Sequence, residues 1–448
     1  MSRNMSGSSN LLDWLYRDEA AEDIFSMTCT FRAWTRVEIA LSQAHFESGI
    51  ISEAEISSIK KLELLVTPDL SELQAGIRNV GYPIIELLSY LNKKLPEAHR
   101  GILHLGATTQ DIMDTALSLQ IVAAGKLALD QLAMLGDAVE NLVEKHASTL
   151  MPGRTHAQQA VPTTFGLKCG VYLSELTRHR DRLERAVQEA GCVSLFGAAG
   201  TSAAMGKLES EVRAVVAREL SLNNVTIPWH ASRDRFIELT NQCANLSVTL
   251  VRLAREIIDL SRTEINEVFE PGGAYKGASS TMPQKRNPVM SEAIVGIGLE
   301  VIAQAHAMHR AGEVGHERAA GEWQLEWKAL PEVLIDTVSA LKLAAEMMQG
   351  LGVNVEVMES NVDLQNGAIM AEAYMIELAK KTGREVAHSL VHEASRLSAE
   401  KNVALTSALL ELRPQIKDEL SPWPISASDY VGNAKRVCAV AIADWHTR

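Results

Sequence analysis

One stretch decides the fold, and it reads Lys276-Gly277-Ala278-Ser279-Ser280-Thr281-Met282-Pro283-Gln284-Lys285-Arg286-Asn287-Pro288. Glycines lie before and within it, and glycine lets a loop adopt positive φ without strain. Two hydroxyls stand at Ser279 and Ser280, and Lys285 follows six residues after the first of them. Asn287 before Pro288 is typical of a helix start, because asparagine is a favoured N-cap and proline a favoured first helical residue. The stretch predicts a hydroxyl, a cation and a positive helix terminus together, which suits binding a carboxylate and stabilising negative charge.

This stretch also matches a family signature, Gly-Ser-Ser-x-Met-Pro-x-Lys-x-Asn-Pro, with Ala278 in place of the first glycine. On that motif the chain resembles the fumarase/aspartase superfamily. The resemblance implies that Ser279 is the base that removes a proton beside a substrate carboxylate. It also implies that Lys285 and Asn287 hold the enediolate that forms, without a metal or an organic cofactor. Two further residues of the stretch are expected to contact the substrate: Ser280 and Met282. The alternative, a polar surface loop, leaves the Met-Pro and Asn-Pro pairs unexplained.

Composition and charge narrow the class of protein. Of the 448 residues, 46% are hydrophobic and only 5% aromatic, which favours long helices built from small and aliphatic side chains. The net charge of −13 gives no support for nucleic-acid binding. Five scattered cysteines without a Cys-x-x-Cys pair favour reduced thiols. No apolar run reaches the length of a membrane span and no signal-peptide core begins the chain, so we expect a cytoplasmic protein with no membrane segment.

Helical patterns predict three helical domains, at residues 1–107, 108–350 and 351–448. No strand alternation is sustained, which disfavours a parallel sheet. In the central domain, apolar residues repeat at spacings of three and four over nearly four heptads: Phe236, Leu239, Cys243, Leu246, Leu250, Leu253, Ile257 and Leu260. A second apolar stripe beside this seam predicts a helix buried on more than one side. We therefore predict an all-α fold with a central bundle of long helices, which by the resemblance forms the core of a homotetramer.

A second segment with candidate functional residues is His104-Leu105-Gly106-Ala107-Thr108-Thr109-Gln110-Asp111. Thr108-x-x-Asp111 is typical of a helix start with an acidic first turn, and capping alone would account for Thr108. A lone histidine at this place is more often structural than functional. The superfamily resemblance instead implies that the segment binds a substrate carboxylate through four residues: His104, Thr108, Thr109 and Gln110.

A third segment, residues 153–166, resembles the superfamily run Gly-x-Thr-His-x-Gln-x-Ala-x-Pro-x-Thr-Phe-Gly. It carries His156, and histidine titrates near neutral pH without a large perturbation, so it suits general acid catalysis. The resemblance gives His156 the protonation of a leaving group, with Thr155 and Gln158 as substrate contacts. From about Val161 to Glu189 the pattern predicts a second long helix.

Two further features have a functional and a bland interpretation. Arg233 precedes the heptad helix, where the resemblance makes it a carboxylate anchor and its position alone makes it a solvated charge at a helix start. His388 and His392 lie one helical turn apart, a spacing that suits a metal, but no third ligand accompanies them. We expect surface or packing roles for this pair and no metal site.

The region from His316 to Trp327 indicates the branch of the superfamily. In adenylosuccinate lyases the corresponding stretch carries serines and an arginine for the nucleotide phosphate. Trp323 and Trp327 cannot replace such charge-assisted donors, and the stretch resembles bacterial 3-carboxy-cis,cis-muconate cycloisomerases instead. We therefore expect lactonisation of a small polycarboxylate through an enediolate, in sites shared between subunits of a homotetramer.

Two alternatives stay open. His156 favours a carbon–nitrogen lyase of the adenylosuccinate lyase type, which releases fumarate from an N-succinyl substrate. A catalytically silent helical scaffold is the other, and the combination of Ser279, Lys285, Asn287 and His156 argues against it.

Overall fold

The computed structural model describes residues 11–64, 70–272, 277, 281–282, 284–318 and 321–447. In this part of the chain nearly all regular structure is helical, and the fold class is all-α, as predicted. The α-helices are, in chain order, α1 Leu11–Tyr16, α2 Glu19–Phe25, α3 Met27–Glu47, α4 Glu53–Lys60, α5 Leu70–Val80, α6 Ile84–Lys94, α7 Thr109–Lys145, α8 Phe165–Ala190, α9 Glu209–Leu220, α10 Asp234–Leu260, α11 Val289–Ala311, α12 Glu322–Gln349, α13 Val355–Val362, α14 Ala371–Thr382, α15 Arg384–Lys401, α16 Leu405–Leu412, α17 Ile416–Glu419 and α18 Ala434–Thr447.

The strands within these ranges form two antiparallel ribbons. They pair β1 Leu150–Thr155 with β2 Gln158–Thr164, and β3 Val268–Phe269 with β4 Gly352–Val353. The prediction of a helix from Val161 is therefore wrong in its first turn, because residues up to Thr164 are held by pairing with β1 and α8 begins at Phe165.

The long helices pack through the seams that their spacing predicts. All eight seam residues of α10 are buried, each with 2% exposure or less. Cys243 in this seam contacts Thr337 of α12 through its thiol, and His309 of α11 lies 2.9 Å from the side-chain oxygen of Asn241. The second stripe consists of Ile237, Ala244, Val251 and Ile258. Of these only Val251 is buried, which leaves part of that face for other contacts.

The chain divides into two compact units. The first takes in the described parts of Met1–Gln131, His179–Leu250 and Gly296–Lys342, and the second those of Leu132–Arg178, Val251–Val295 and Leu343–Arg448. The core of the first unit includes apolar residues of α3, α6 and α9: Phe31, Trp34, Leu41, Leu87, Val212 and Val216. The three sequential domains with boundaries at residues 107 and 350 are a different partition and stay a prediction.

In the described part of the chain, two helices, α7 and α11, are long and apolar enough to cross a membrane by length and composition alone. No apolar run in the sequence had indicated this. The most apolar window of α7 is 56% buried inside the protein and that of α11 is 44% buried. Long core helices pass such a test because bundle packing needs the same apolar side chains.

Candidate active site

The carboxylate of Asp111 ties together three segments of the first unit. It is completely buried and accepts hydrogen bonds from the backbone N–H of Thr108 (3.0 Å), Phe196 (3.0 Å) and Gly197 (2.9 Å). Nε2 of His230 lies 2.7 Å from Oδ1 of Asp111, the oxygen that also accepts from Phe196. The predicted helix start at Thr108 is confirmed, and its acidic residue also positions the loop of small residues after Phe196.

Arg318 adds a cation to the start of α7. Its Nη1 donates to Oγ1 of Thr108 (3.1 Å) and its Nη2 to the carbonyl of Ala198 (2.9 Å). Thr108 and Thr109 are both half-buried here. In the sequence, Arg318 indicates only the branch of the superfamily. Nothing near it in the chain predicts a contact with Thr108, which lies 210 residues away. The structure places a guanidinium against one of the two predicted carboxylate-binding hydroxyls.

The side chains of Gln110 and His104, in the same segment, both contact other groups of the protein. Gln110 is 1% exposed and donates from Nε2 to Asp114 and to the carbonyl of His230, both at 3.0 Å. This geometry gives Gln110 a part in holding the loop, and its predicted contact to substrate stays a prediction. His104 keeps 19% of its side chain exposed, and its Nδ1 lies 2.7 Å from Oε1 of Glu38.

Arg233, the predicted carboxylate anchor, is held by two carboxylates of the protein itself. Its side chain is 1% exposed and binds Asp114 at 2.7 and 3.2 Å. It also binds Glu326, at 2.9 Å from Nε and by a second bond from Nη2. Burial opposes the charge of Arg233, but the two carboxylates outweigh it and raise the pKa of the guanidinium. These contacts take up the hydrogen bonds of the guanidinium inside the protein and favour a structural cation, while the role of Arg233 as a carboxylate anchor stays a prediction.

An aromatic cavity of about 330 Å³ lies in the first unit beside α7. Trp323 stacks on Tyr82 and meets Trp327 edge to face at 5.0 Å between ring centroids. Among the described residues, neither lysine nor arginine lines the cavity. The lining residues are Phe25, Met27, Thr30, Trp34, Ile77, Gly81, Pro83, Met113, Asp114, Leu117, Gln120, Trp323, Trp327 and Pro331.

In the second unit, His156 stands at the tip of a tight hairpin. Thr155 pairs with Gln158, so the turn consists of His156 and Ala157, with φ of 50° and 62°. Positive φ at both turn residues is the type I′ geometry, which usually selects Asn-Gly. Two side-chain-bearing residues adopt it here, and such strain is typical of functional sites. All four residues are exposed, so Thr155, His156 and Gln158 project together from the hairpin.

A buried ion pair fixes the stem of this hairpin. Arg154 donates two hydrogen bonds to Glu267, of 2.9 and 2.6 Å. Glu267 is completely buried and also accepts a 2.9 Å bond from the side-chain amide of Asn361. The exposed tip is therefore carried on a rigid base.

The signature stretch is described in part. Ser279 and Ser280 lie outside the described residues, so their predicted roles stay predictions. Lys285 and Met282 are exposed, and the amide of Asn287 donates to the carbonyl of Gly277 at 2.9 Å. A Cβ on Gly277 would lie 2.5 Å from the carbonyl oxygen of Asn287, and its φ is 69°, so only glycine fits this turn.

The start of α11 is already occupied by a carboxylate of the protein. Glu270 accepts hydrogen bonds from the backbone N–H of Met290 (3.0 Å) and Ser291 (2.7 Å) and from the Ser291 hydroxyl (2.6 Å). Pro288 supplies the carbonyl for the next amide. The helix begins near Asn287 and Pro288 as predicted, but its amides do not remain open for a substrate anion. The predicted charge stabilisation at this loop would therefore fall to side chains such as Lys285.

Within the described residues, no group of three or more His, Cys, Asp or Glu side chains is arranged to hold a metal ion. His388 and His392 stack on the exposed face of α15, with ring centroids 6.2 Å apart.

An all-α fold with long core helices, a histidine on a strained hairpin and a lysine-bearing signature loop defines a class: the fumarase/aspartase superfamily of enzymes. The sequence model of the family described as Lyase matches residues 19–303, and the chain belongs to that family.

Curated relatives span almost the whole chain. An N-acetyl-S-(2-succino)cysteine lyase of Dickeya dadantii is 36% identical over 403 residues, covering 89% of this chain and 88% of the relative. A 3-carboxy-cis,cis-muconate cycloisomerase of Pseudomonas putida is 35% identical over 418 residues, covering 92% of this chain and 99% of the relative. The crystal structure of the 3-carboxy-cis,cis-muconate lactonizing enzyme from Pseudomonas putida superposes with a TM-score of 0.91 at 32% identity, covering 98% of this chain and 99% of that one.

Proposed function

We propose that the protein is a cycloisomerase that lactonises a carboxymuconate through an enediolate intermediate. The observation that carries this proposal is the aromatic cluster of Tyr82, Trp323 and Trp327, beside a cavity without a lysine or arginine among its described lining residues. A nucleotide phosphate needs charge-assisted donors there. The absence of such donors among the described lining residues argues against an adenylosuccinate-type substrate. The similarity to the Pseudomonas putida cycloisomerase supports the same conclusion.

The proposed reaction takes up one proton and releases no fragment of the substrate. A carboxylate oxygen forms a bond to one carbon of a conjugated double bond, and the π electron pair moves into the carboxylate conjugated with it. The resulting enediolate then takes a proton at the carbon beside that carboxylate. The intermediate carries extra negative charge, so positioned cations and hydrogen-bond donors lower the barrier.

The side chains that meet this demand belong, in this proposal, to a site shared between subunits. Lys285 and Asn287 would hold the enediolate, and Ser279 would transfer the proton at the adjacent carbon. Thr108 and Thr109 would bind a second carboxylate, with Arg318 as the cation beside them. Proton transfer by a positioned group typically contributes about a hundredfold to ten-thousandfold to the rate.

A second candidate is a lyase that releases fumarate from a succinyl adduct. Two observations favour it: the 36% identity to an N-acetyl-S-(2-succino)cysteine lyase, and the strained exposed position of His156. In such an elimination, a base removes the proton beside the carboxylate, the bond from carbon to nitrogen or sulfur breaks, and an acid protonates the leaving atom. His156 would be that acid, whereas lactonisation has no leaving group to protonate.

A substrate panel separates these functions. Purified protein is offered 3-carboxy-cis,cis-muconate, adenylosuccinate, N-substituted aspartates and an S-succinyl thiol, and ultraviolet absorbance follows loss of the diene or appearance of fumarate. The cycloisomerase predicts loss of the diene without fumarate, and partial activity in His156→Gln. The lyase predicts fumarate, and a loss of about a hundredfold or more in His156→Gln. His388→Gln, an exposed histidine on α15, is the matched control, and a folded protein that turns over none of these acids contradicts both functions.

We also propose that the protein is a cytoplasmic homotetramer whose sites combine residues from three subunits. Apolar side chains remain exposed on the long helices, which supports further helix packing: Val122, Met134, Val171, Val248 and Leu299. Mixing inactive Ser279→Ala subunits with inactive His156→Ala subunits should restore some activity, because some mixed sites then draw both intact residues from different chains. Mixed tetramers that recover nothing, or an active monomer, would contradict the shared sites.

A further inference from the structure

A buried glutamate lies behind the histidine of the His104–Asp111 segment. Glu38, in the middle of α3, is completely buried, and its Oε1 is 2.7 Å from Nδ1 of His104. The second oxygen, Oε2, has no hydrogen-bond partner among the described residues. A buried carboxylate is costly unless an opposite charge compensates it. The contact therefore favours a charged pair in which His104 is an imidazolium.

The backbone at His104 supports a positioning role. Its φ is 65°, in the left-handed region that residues with a Cβ rarely adopt, and strain of this kind concentrates at functional sites. Four residues later the chain reaches Thr108, the residue that Arg318 contacts. Glu38 contacts the Nδ1 side of the His104 ring, and 19% of the side chain is exposed at the surface of the subunit.

We propose that Glu38 is a positioning residue that holds His104 as an imidazolium, with Nδ1–H bound to the glutamate and Nε2–H offered to a substrate carboxylate. The inference rests on the proposed function only in taking that ligand to be a polycarboxylate. It assigns His104 a place among the substrate-binding groups and adds Glu38, which no sequence motif indicated, as the residue that acts through it.

The electrostatics of the pair agree with this geometry. Burial lowers the pKa of His104, but the hydrogen bond and the charge of Glu38, with a contribution from Asp111, outweigh it, so that the pKa lies above its ordinary value. Asp111 is itself bound by His230 and by three backbone amides. With glutamine at position 38, burial would be opposed by Asp111 alone. The imidazolium would then lose its proton at a lower pH than in the wild type.

The test compares Glu38→Gln, His104→Gln and the double variant with Glu47→Gln, an exposed glutamate of the same helix that pairs with Arg218. The pH dependence of kcat/KM is measured with the substrate that the wild type turns over. In Glu38→Gln we expect KM to rise about tenfold to hundredfold above the pH at which the variant's His104 loses its proton, the loss of one charge-assisted hydrogen bond, with a smaller change in kcat and with KM recovering as the pH is lowered. The double variant should be no worse than His104→Gln, and Glu47→Gln should match the wild type.

A readout without turnover keeps this inference separate from the proposed function. Hydrogen–deuterium exchange at the imidazole C2 position, followed by mass spectrometry of the peptide that carries His104, reports the pKa of that histidine. A lower value in Glu38→Gln supports the pair even if no offered acid is a substrate, an outcome that would overturn the proposed function alone. An unchanged pKa and pH profile, or additive losses in the double variant, would overturn the inference.

A charge-preserving variant covers the case in which Glu38→Gln does not fold. Glu38→Asp should lower kcat/KM because the carboxylate is drawn back from the ring, while the pH profile stays close to that of the wild type. A profile displaced towards acid in Glu38→Asp would overturn the proposal.

Discussion

Replacing Arg233 by methionine tests whether this arginine is structural or binds substrate. The change would leave Asp114 and Glu326 facing each other with 1% and 0% of their side chains exposed and no cation between them. Removing one partner of a buried ion pair typically costs about 3–5 kcal/mol, because the remaining charge is uncompensated. The guanidinium also covers the rings of Trp229 and Phe236, at 5.1 and 4.7 Å from their centroids. We expect Arg233→Met to lower the free energy of unfolding by about this amount, with KM unchanged in the protein that remains folded.

Urea unfolding followed by tryptophan fluorescence, at one protein concentration, measures the loss. The control is Arg252→Met in α10, the helix that begins directly after Arg233; the guanidinium of Arg252 is 49% exposed and pairs with Glu175 at 2.8 Å. An exposed pair of this kind contributes about 0–1 kcal/mol, so its loss should be small. An Arg233→Met protein that is as stable as the wild type but has KM raised tenfold or more would refute the structural role and restore the anchor.

Four further outcomes follow from single sites. Glu270→Gln should lower the thermal midpoint and kcat together, because it removes the charge of the cap that fixes the start of α11 next to Lys285; a change in kcat with an unaltered midpoint would contradict this. Ala157→Gly should leave activity intact and stabilise the hairpin by about 0.5–1 kcal/mol, since glycine accepts its φ of 62° without strain, and destabilisation would argue against the turn. Native protein should react with a thiol reagent first at Cys29, because the other four cysteines are buried. Burial also raises the pKa of Cys169 and Cys243 to about 12. Equal labelling of all five cysteines would contradict this burial. Burial raises the pKa of Asp336 to about 7, above its unfolded value, so the stability that the protonated carboxyl contributes at low pH is lost as pH rises through 7. Asp336→Asn should therefore shrink the difference in thermal midpoint between pH 5 and pH 8. An undiminished difference would contradict the assignment.

The elements that the sequence predicted well are those whose pattern is local. The seam from Phe236 to Leu260 is periodic within one helix, and the structure buries all of it. The start of α7 was predicted for the same reason, because Asp111 caps an amide only three residues away. Residues 161–164 were assigned to a helix because a short strand with a proline has no periodicity of its own, and its structure comes from pairing with β1.

The parts of the site that sequence reasoning missed depend on partners far along the chain. Arg233 looked like a solvated charge or a ligand, since its carboxylates are 119 and 93 residues away. Glu38 lies 66 residues from His104, and Glu270, whose carboxylate caps α11, lies 20 residues before Met290. No local pattern encodes such contacts. They arise because buried charges and helix ends must be compensated by whichever side chain the fold brings near.

Turnover by Ser279→Ala tests the central claim most directly. Under the proposed function Ser279 transfers the proton at the enediolate carbon, and in the sequence it stands between Phe269, the last residue of β3, and Val289, the first residue of α11. With 3-carboxy-cis,cis-muconate as substrate, the account predicts rapid loss of diene absorbance by the wild type. It predicts a rate lower by about a hundredfold to ten-thousandfold in Ser279→Ala, with an unchanged helical circular dichroism spectrum. A folded Ser279→Ala protein with near-normal turnover would contradict it.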